Sequence, residues 1–353
     1  MIVEDTIHVS VREGYDVIIG KDLLVNTGKY LSAMFQERKA FVITDSNVKD
    51  HYLNTVLESL KDSGIDARFF VFPAGEGNKN LATYESILNM LAENHCTRSD
   101  YIIALGGGVC GDMAGFAAGT YMRGIPFVQI PTTVLAMVDS SVGGKCAVDL
   151  CQGKNLVGVF HQPSLVLCDT NTLSTLPQKY FKDGMAEVVK TGILCGGELF
   201  DLCCNFDIEN LPKIISMCVE YKAGVVERDE TEQGERKLLN LGHTAAHAIE
   251  RCSQYTVPHG HAVAIGTSII ARASDRLGFS STPISDDILS VLSSFGLPTS
   301  TEYSPEELLL ASRMDKKSQG NEISVIIPEK IGHCVIRSID FDVLSTIYEA
   351  GIS

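Results

Sequence analysis

Four of the nine histidines lie close together in the sequence, between positions 243 and 261. His243 and His247 are four residues apart in LLNLGHTAAHAIE, whose spacing is helical, so one helix face carries both and they could share a metal ion. His259 and His261 follow in a Pro-Gly turn, VPHGHAVAIG, that opens the next helix. A cluster of four histidines indicates a metal or catalytic site, although the H-E-x-x-H pattern of zinc proteases is absent. The spacing leaves open which of them bind an ion.

A glycine run lies between a predicted strand and a predicted helix in YIIALGGGVCGDMAG, and comprises Gly106, Gly107, Gly108 and Gly111. Glycines at this position let backbone N–H groups approach an anion at the helix N-terminus. The next predicted strand, FVQIPTT, lacks the carboxylate that an ordinary Rossmann fold places on the ribose. Asp45 instead ends an earlier strand, and Glu76 and Lys79 follow another. Either this is not the ordinary Rossmann arrangement or it is not a nucleotide site, and the strand-end residues favour a nucleotide site.

Several cations occupy apolar or glycine-rich segments: Arg123, Lys145, Lys154 beside Asn155, Lys190, Lys222, and Arg236 with Asn240. Taken singly, each is an ordinary solvated surface residue. Lys145 and Lys154, however, follow tight glycine turns, and Lys190 lies three residues from Glu187 on one helical face. A phosphate-bearing substrate requires several such donors together. Asp139, in AMVDSS, is a candidate acid–base partner and equally an ordinary turn aspartate.

The elements that must position these residues change in character near position 177. Before it, predicted strands at 39–44, 68–72, 101–105 and 127–130 alternate with helical patterns at 47–60, 81–91 and 109–119, after an opening hairpin at 6–11 and 15–19. This alternation predicts a mostly parallel sheet covered by helices. Long helical patterns fill 178–320, before a β-rich run at 323–327. We therefore predict an α/β nucleotide-binding domain over 1–177 and a mostly α-helical metal- and substrate-binding domain over 178–353, with the cleft between them as the expected site.

The composition excludes several classes of protein. With 29 Lys+Arg against 44 Asp+Glu, the formal net charge is 29 − 44 = −15, which disfavours general nucleic-acid binding. A hydrophobic share of 45% and a charged share of 21% exclude intrinsic disorder. No apolar run of about 18 residues and no signal peptide is visible. Eleven cysteines without a C-x-x-C pair indicate reduced thiols. We expect a cytoplasmic protein whose partner is a small molecule, neither nucleic acid nor membrane.

These segments together resemble the 3-dehydroquinate synthase family of the sugar-phosphate cyclases. The resemblance extends over nearly the whole chain and is carried by PAGEGNKN, GGGVCGDMAGFAAGTYMRGI, PTTVLAMVDSSVGGK, GKNLVGVFHQP, DTNTLSTLPQKYFKDGMAEVVK, RKLLNLGHTAAHAIE, HGHAVAIG and MDKKSQG. It implies a dehydroquinate synthase-like fold, an NAD-binding N-terminal domain, a helical metal domain and a homodimer.

The resemblance also implies an activity, that of a phosphate lyase in the shikimate pathway toward chorismate and the aromatic amino acids. The substrate is 3-deoxy-D-arabino-heptulosonate 7-phosphate and the products are 3-dehydroquinate and phosphate. The implied course is transient oxidation by NAD, β-elimination of phosphate, re-reduction and aldol closure, with Zn²⁺ or Co²⁺ as the metal.

Site residues follow from the resemblance in three groups. The metal ligands are Glu187, His243 and His259. The NAD contacts are Asp45, Glu76, Lys79, Gly107, Gly108, Asp112, Thr132 and Thr133, with Lys145 and Lys154 also assigned to the cofactor. The substrate contacts are Lys145, Asn155, Lys190, Lys222, Arg236, Asn240, His247 and a lysine of the pair Lys316 and Lys317. Asp139 stays a candidate acid–base partner from its position in the sequence alone. Arg123 is expected to reach the site of the partner subunit.

The sequence departs from the family pattern at two positions in the histidine segments. His261 stands where many relatives have Glu, and Ala246 where many have Gly; His261 could supply an extra metal ligand or only a contact to the ligands. The alternatives are another sugar-phosphate cyclase, of the 2-deoxy-scyllo-inosose or 2-epi-5-epi-valiolone synthase type, or a metal-dependent polyol dehydrogenase. A non-catalytic nucleotide-binding protein would leave the histidines and lysines without a role.

Overall fold

The computed structural model describes residues 2–35, 38–315 and 322–352. The chain forms two compact units: the first comprises Met1–Pro177 with Lys222–Glu230, and the second Gln178–Tyr221 with Thr231–Ser353. The prediction of two contiguous domains meeting at 177 did not anticipate that Lys222–Glu230 belongs with the first unit. Side-chain contacts hold this segment there, because Glu230 accepts from Arg12 Nε at 2.7 Å and from Gln162 Nε2 at 3.0 Å.

The strands of the first unit, in chain order, are β1 (Ile2–Val9), β2 (Tyr15–Lys21), β3 (Ala40–Asp45), β4 (Ala67–Phe72), β5 (Tyr101–Gly106), β6 (Phe127–Pro131), β7 (Lys145–Leu150), β8 (Gly153–Phe160) and β9 (Leu165–Asp169). The main sheet has the order β1-β2-β9-β6-β5-β3-β4. Its strands are parallel except for β1, which pairs with β2 as the predicted hairpin. Every strand and hairpin arm that the sequence predicted is present.

The helices of the first unit are α1 (Thr27–Met34), α2 (Asn54–Asp62), α3 (Leu81–Glu93) and α4 (Gly108–Thr120). Because alternate side chains of a strand point to opposite faces, β3 sends Val42 into an apolar cluster with Leu60 of α2. Phe41 enters a second cluster with Ile87 of α3 and Met113 of α4. The helix predicted over 47–60 starts with a wide π turn at Lys49–Leu53 and continues as α2.

The sequence patterns did not predict β7, β8 or β9. β7 and β8 form a separate antiparallel hairpin whose register is irregular, since Leu150 pairs with Gly153 while Val148 pairs with Val157. The three residues between those partners on β8 face one residue on β7, which makes a bulge. This hairpin carries Lys145, Lys154 and Asn155, so a missed element supports three predicted site residues.

The second unit is mostly helical, as predicted. Its helices are α5 (Gln178–Cys195), α6 (Gly197–Cys204), α7 (Leu211–Arg228, whose last turns belong to the first unit), α8 (His243–Cys252), α9 (His259–Arg276), α10 (Ser285–Ser294), α11 (Pro305–Asp315) and α12 (Phe341–Ile352). The β-rich run at 323–327 lies in β10 (Glu322–Lys330), which pairs with β11 (His333–Asp340). α9 is buried along most of its length and contacts α5, α8, α10 and α12.

α8 and α9 approach each other closely at Gly242, the residue before α8. Gly242 has φ +77°, and a Cβ there would lie 2.8 Å from the backbone N of Thr267 on α9. Both observations require glycine, because the left-handed region and the short contact each disfavour a side chain. Ala246 is fully buried on α8. Within the described ranges, none of the helices combines the length and the apolarity needed to cross a bilayer.

Candidate functional site

Three helices of the second unit bring Glu187, His243 and His259 together. Glu187 lies in the middle of α5, while His243 and His259 are the first residues of α8 and α9. One ligand atom from each residue lies within 4.8 Å of the other two. Glu187 Oε1 is 3.7 Å from His243 Nε2 and 3.3 Å from His259 Nε2. Ligands at about 2.0–2.2 Å around one Zn²⁺ have such separations, and two imidazoles with one carboxylate form a known catalytic zinc set.

In both His243 and His259, the ring nitrogen Nδ1 lies close to an acceptor, and this contact fixes the direction in which Nε2 points. His243 Nδ1 lies 3.1 Å from the carbonyl of Leu241, and His259 Nδ1 lies 3.4 Å from Glu250 Oε1. A carbonyl and a carboxylate accept only, so each Nδ1 donates, and Nε2 is the ring nitrogen that faces Glu187. Glu250 is buried on α8 and was not singled out in the sequence. Such partners are the usual companions of metal-binding histidines.

Glu187 itself fits a metal ligand. Both carboxylate oxygens are buried, and neither accepts a hydrogen bond of good geometry from any described residue. Lys190 Nζ nevertheless lies 2.5 Å from Oε2, one helical turn along the same face of α5, as the spacing predicted. Lys190 thus neutralises Oε2, whereas Oε1, the oxygen nearer the two imidazoles, lacks a well-directed donor, and a buried acceptor in that state is costly unless a cation meets it. The residues present therefore fit a divalent ion.

The protonation states at this group also suit a metal. Burial lowers the pKa of His243 to about 3, with only partial opposition from Glu187. Burial opposes ionisation of Glu187, but Lys190 and the two histidines hold its pKa well below the usual range. Burial alone would lower the pKa of His259, yet the carboxylates of Glu187 and Glu250 raise it to about 10. The group thus keeps an anionic carboxylate, a neutral His243 and a positive charge on His259, and an ion bound at Nε2 would take the place of that proton.

The other two histidines of the cluster lie apart from this group. The His247 ring lies 5.6 Å from the His243 ring, edge to face, but His247 does not join the three residues whose ligand atoms lie within 4.8 Å of one another, so the geometry favours Glu187, His243 and His259 as the ligand set. His261 Nδ1 lies 3.2 Å from Asp183 Oδ1, which also accepts from the His261 backbone N at 3.0 Å. His261 therefore ties the start of α9 to α5, and its ring is engaged by Asp183 rather than by Glu187.

A cavity of about 420 Å³ in the second unit adjoins the histidines and is lined by His243, His247, Asn240, Glu232, Lys237 and Thr244, among others. Asn240 donates from Nδ2 to Glu232 Oε1 at 2.5 Å. Glu232 has φ +61°, a strained conformation for glutamate, and no sequence pattern pointed to this residue. Arg236, in the turn between these two residues, is almost fully buried, so the predicted cation lies in the core and not in bulk solvent.

The first unit brings the predicted nucleotide contacts to the carboxyl ends of β3 and β5. The chain passes from β3 outward to β4, then returns to β5 on the other side and continues to β6, so the strand order reverses between β3 and β5. Ligands bind at such reversal points in parallel sheets. Asp45 ends β3, Gly107 precedes α4, and Thr132 N donates to the carbonyl of Gly106 at 3.0 Å.

Most of the remaining predicted nucleotide contacts surround this turn. A Cβ on Gly107 would lie 3.2 Å from Thr133 Cγ2, and one on Gly108 would lie 3.2 Å from Ser140 Oγ. A side chain at either position would therefore crowd the turn. Lys154 Nζ lies 3.7 Å from Glu76 Oε1. Lys79 Nζ, buried, lies 2.5 Å from Asp112 Oδ2 and 2.5 Å from Asn155 Oδ1. Asn155, predicted for the substrate, therefore contacts a residue predicted for the cofactor.

Two further predicted residues of the first unit form a pair. Lys222 Nζ donates to both the carbonyl and Oδ1 of Asp139, each at 2.5 Å. Asp139 lies in a π turn, Ala136–Ser140, a feature frequent at functional sites. Lys145 and Arg123 are exposed, and Arg123 follows Met122 in a turn where both have positive φ, +70° and +50°. Lys316 and Lys317 lie outside the described residues.

Solved structures define the fold class. A 2-deoxy-scyllo-inosose synthase complexed with carbaglucose-6-phosphate, NAD⁺ and Co²⁺ is similar with a TM-score of 0.88 and 25% identity, over 98% of this chain and 100% of that chain. A 2-epi-5-epi-valiolone synthase from Streptomyces hygroscopicus subsp. jinggangensis, with NAD⁺ and Zn²⁺ bound, reaches 0.86 and 25% identity over 94% and 95%. An NADH-dependent butanol dehydrogenase from Thermotoga maritima shares the fold at 0.65 and 13% identity, over 96% of each chain. The fold class is dehydroquinate synthase-like, shared here with sugar-phosphate cyclases that bind NAD⁺ and a divalent metal.

Sequence comparison then gives the family. Residues 69–183 match the family model 3-dehydroquinate synthase N-terminal, and residues 184–318 match 3-dehydroquinate synthase C-terminal. A 3-dehydroquinate synthase of Clostridium kluyveri is 42% identical over 341 residues, 94% of this chain and 95% of that protein. The enzyme of the same name from Pelobacter propionicus is 42% identical over 345 residues, 95% and 96%. The chain belongs to the 3-dehydroquinate synthase family, as the resemblance predicted.

Proposed function

We propose that this protein converts 3-deoxy-D-arabino-heptulosonate 7-phosphate to 3-dehydroquinate and phosphate. The observation that carries the proposal is the contrast in similarity: 42% identity to 3-dehydroquinate synthases over 94% of the chain, against 25% to the two other cyclases of the same fold. Identity at the higher level over almost the full length favours a shared substrate, whereas the fold alone is shared by several activities.

The metal and the cofactor are a Zn²⁺ or Co²⁺ ion and NAD. Glu187, His243 and His259 hold the ion, and the residues at the ends of β3 and β5 hold the nucleotide. When bound, the ion polarises substrate oxygens and NAD accepts and returns a hydride. Three protein ligands leave coordination positions open for substrate, which is the arrangement of catalytic rather than structural metal sites.

The chain's own cations bind the anionic substrate. Lys190 and Arg236 are buried, so their charges act in a medium of low dielectric constant and stabilise anions more strongly than surface cations do. This local charge operates despite the net charge of −15. Asn240 and His247 line the cavity beside the metal group, and His247 holds or moves a proton on the substrate. Lys145, Asn155, Lys222 and the lysine pair 316–317 complete the proposed contacts.

The protein acts as a homodimer in which Arg123 reaches the site of the partner subunit. The exposed turn that carries Arg123, with two successive left-handed residues, supports this role because such strain is kept where a side chain must be presented outward. All eleven cysteines are unpaired with one another, which supports a reducing compartment, the cytoplasm. The pathway is the shikimate pathway.

One experiment tests the activity. Metal-loaded protein is incubated with the heptulosonate phosphate and a catalytic amount of NAD, while inorganic phosphate, carbocycle and absorbance at the NADH band are followed. We expect stoichiometric phosphate and carbocycle without net NADH. Accumulation of NADH without phosphate would indicate a polyol dehydrogenase. Turnover of glucose 6-phosphate in place of the heptulosonate would indicate a 2-deoxy-scyllo-inosose synthase.

A further inference from the structure

The bulge of β8 presents one side chain, Asn155, in an unusual backbone conformation. Asn155 has φ +56° and lies among the three residues that face a single residue of β7. Bulges of this kind redirect a side chain away from the direction that the regular pleat would give it. The backbone N of Asn155 donates to Asp149 Oδ1 at 2.8 Å, and Asp149 N donates to the carbonyl of Lys79 at 2.8 Å. The bulge is therefore fastened to the segment that carries Lys79.

Lys79 also engages the side chain of Asn155. Its Nζ lies 2.5 Å from Asn155 Oδ1 and 2.5 Å from Asp112 Oδ2, and only 4% of Lys79 is exposed. An ammonium group has three donors and no acceptor. The amide face that meets Lys79 must therefore be the oxygen, and the two N–H donors of Asn155 must point away from it. A single buried lysine thus decides which end of the amide is presented.

We propose that Lys79 is a positioning residue for substrate: it orients the Asn155 amide so that the NH₂ group faces the phosphate of the sugar phosphate. The inference rests on the proposed function, in which Asn155 contacts substrate and Lys79 contacts NAD. A free asparagine amide turned by 180° would present its oxygen to the anion and repel it. Because Lys79 also pairs with Asp112 in the nucleotide region, one side chain serves both ligands, and loss of Lys79 weakens binding of each.

A double-mutant cycle with inorganic phosphate as the probe tests this inference. The inhibition constant of phosphate is measured for the holoenzyme at saturating NAD, and its dissociation constant by calorimetry. Lys79→Met weakens phosphate binding about tenfold, the size of one hydrogen bond to a charged group. Asn155→Ala weakens it by a similar factor, and the double variant is no weaker than Asn155→Ala alone. Equal and independent losses that multiply in the double variant would overturn the proposal.

Two further variants keep the test decisive. Asn155→Asp retains an acceptor for Lys79 but presents a carboxylate oxygen to phosphate, so phosphate binding falls more than in Asn155→Ala. Affinity equal to that of the wild type contradicts the proposal. This comparison holds even if Lys79→Met does not fold. Lys213→Met is the matched control, because Lys213 lies in an exposed ion pair with Glu198 and outside the proposed binding residues. It should leave phosphate affinity unchanged. Failure of the proposed function is seen separately, as a wild type that releases no phosphate from the heptulosonate phosphate.

Discussion

Replacing Glu187 by Gln tests the metal group most directly, because it removes one negative charge with little change of shape. Glu187 is fully buried, and Lys190 Nζ lies 2.5 Å from Oε2. In the metal-free protein, Gln leaves Lys190 and His259 facing each other without the carboxylate between them. In the metal-loaded protein, it removes an anionic ligand from a set of three. Both stability and metal content should therefore fall.

The size of the expected loss of stability follows from the burial of the Glu187–Lys190 ion pair. Breaking a buried ion pair by neutralising one partner costs about 3–5 kcal/mol. A lysine of ordinary pKa near 10.4 gives up its proton at pH 7 for about 4.6 kcal/mol, which caps the penalty of leaving it unpaired. In a unit of roughly 170 residues, each kcal/mol lowers Tm by about 2–4 °C. We expect chelator-treated Glu187→Gln to melt about 10 °C below the chelator-treated wild type.

The assay is thermal unfolding of chelated protein at pH 7, followed by metal analysis and phosphate release after reloading. The control is Glu198→Gln, the same change in the exposed ion pair with Lys213, which should alter the free energy of unfolding by less than about 0.5 kcal/mol. The double variant with Lys190→Met should recover part of the loss, since no buried cation remains. A Glu187→Gln protein that melts within about 2 °C of the wild type, which corresponds to about 0.5–1 kcal/mol, or that keeps one equivalent of metal, refutes the reasoning.

Three other predictions follow from named contacts. Glu250→Gln should weaken metal binding about 10–100-fold, measured by chelator competition, because His259 Nδ1 loses its anionic acceptor; unchanged affinity with an unchanged melting curve would contradict this. Gly242→Ala should lower the free energy of unfolding by about 2 kcal/mol or more in urea titration, from the positive φ and the contact with Thr267, whereas Gly278→Ala, with positive φ and open space, should cost less. Arg123→Ala should lower turnover without changing metal content, and mixing it with an inactive Glu187→Gln chain should restore some activity if each site uses the partner's arginine.

The return of Lys222–Glu230 to the first unit depends on long-range contacts such as Arg12 with Glu230, which no local pattern encodes.

The candidate site, like the fold, could be predicted from the sequence only in part. The histidine cluster was visible because its members are close in sequence, but Glu187 lies far from them in the chain, and only the family resemblance named it as a metal ligand. Glu250 and Glu232 were missed, although both follow from simple chemistry once the fold is known: a buried carboxylate beside an imidazole and one beside an amide. A helical spacing of seven from His243 to Glu250 was the one local signal, since both then lie on the same face of α8.

Helix α7 begins in the second unit and ends in the first, and this affects any attempt to produce the two units as separate fragments. A fragment that stops at Pro177 lacks residues 222–230, in which Lys222 pairs with Asp139, and Glu230 with Arg12 and Gln162. A single cut therefore removes from the N-terminal fragment the partners of several of its charged and polar side chains. It leaves the last turns of α7 on the C-terminal fragment without the residues that they contact. A soluble N-terminal fragment should instead be sought by adding 222–230 through a designed linker.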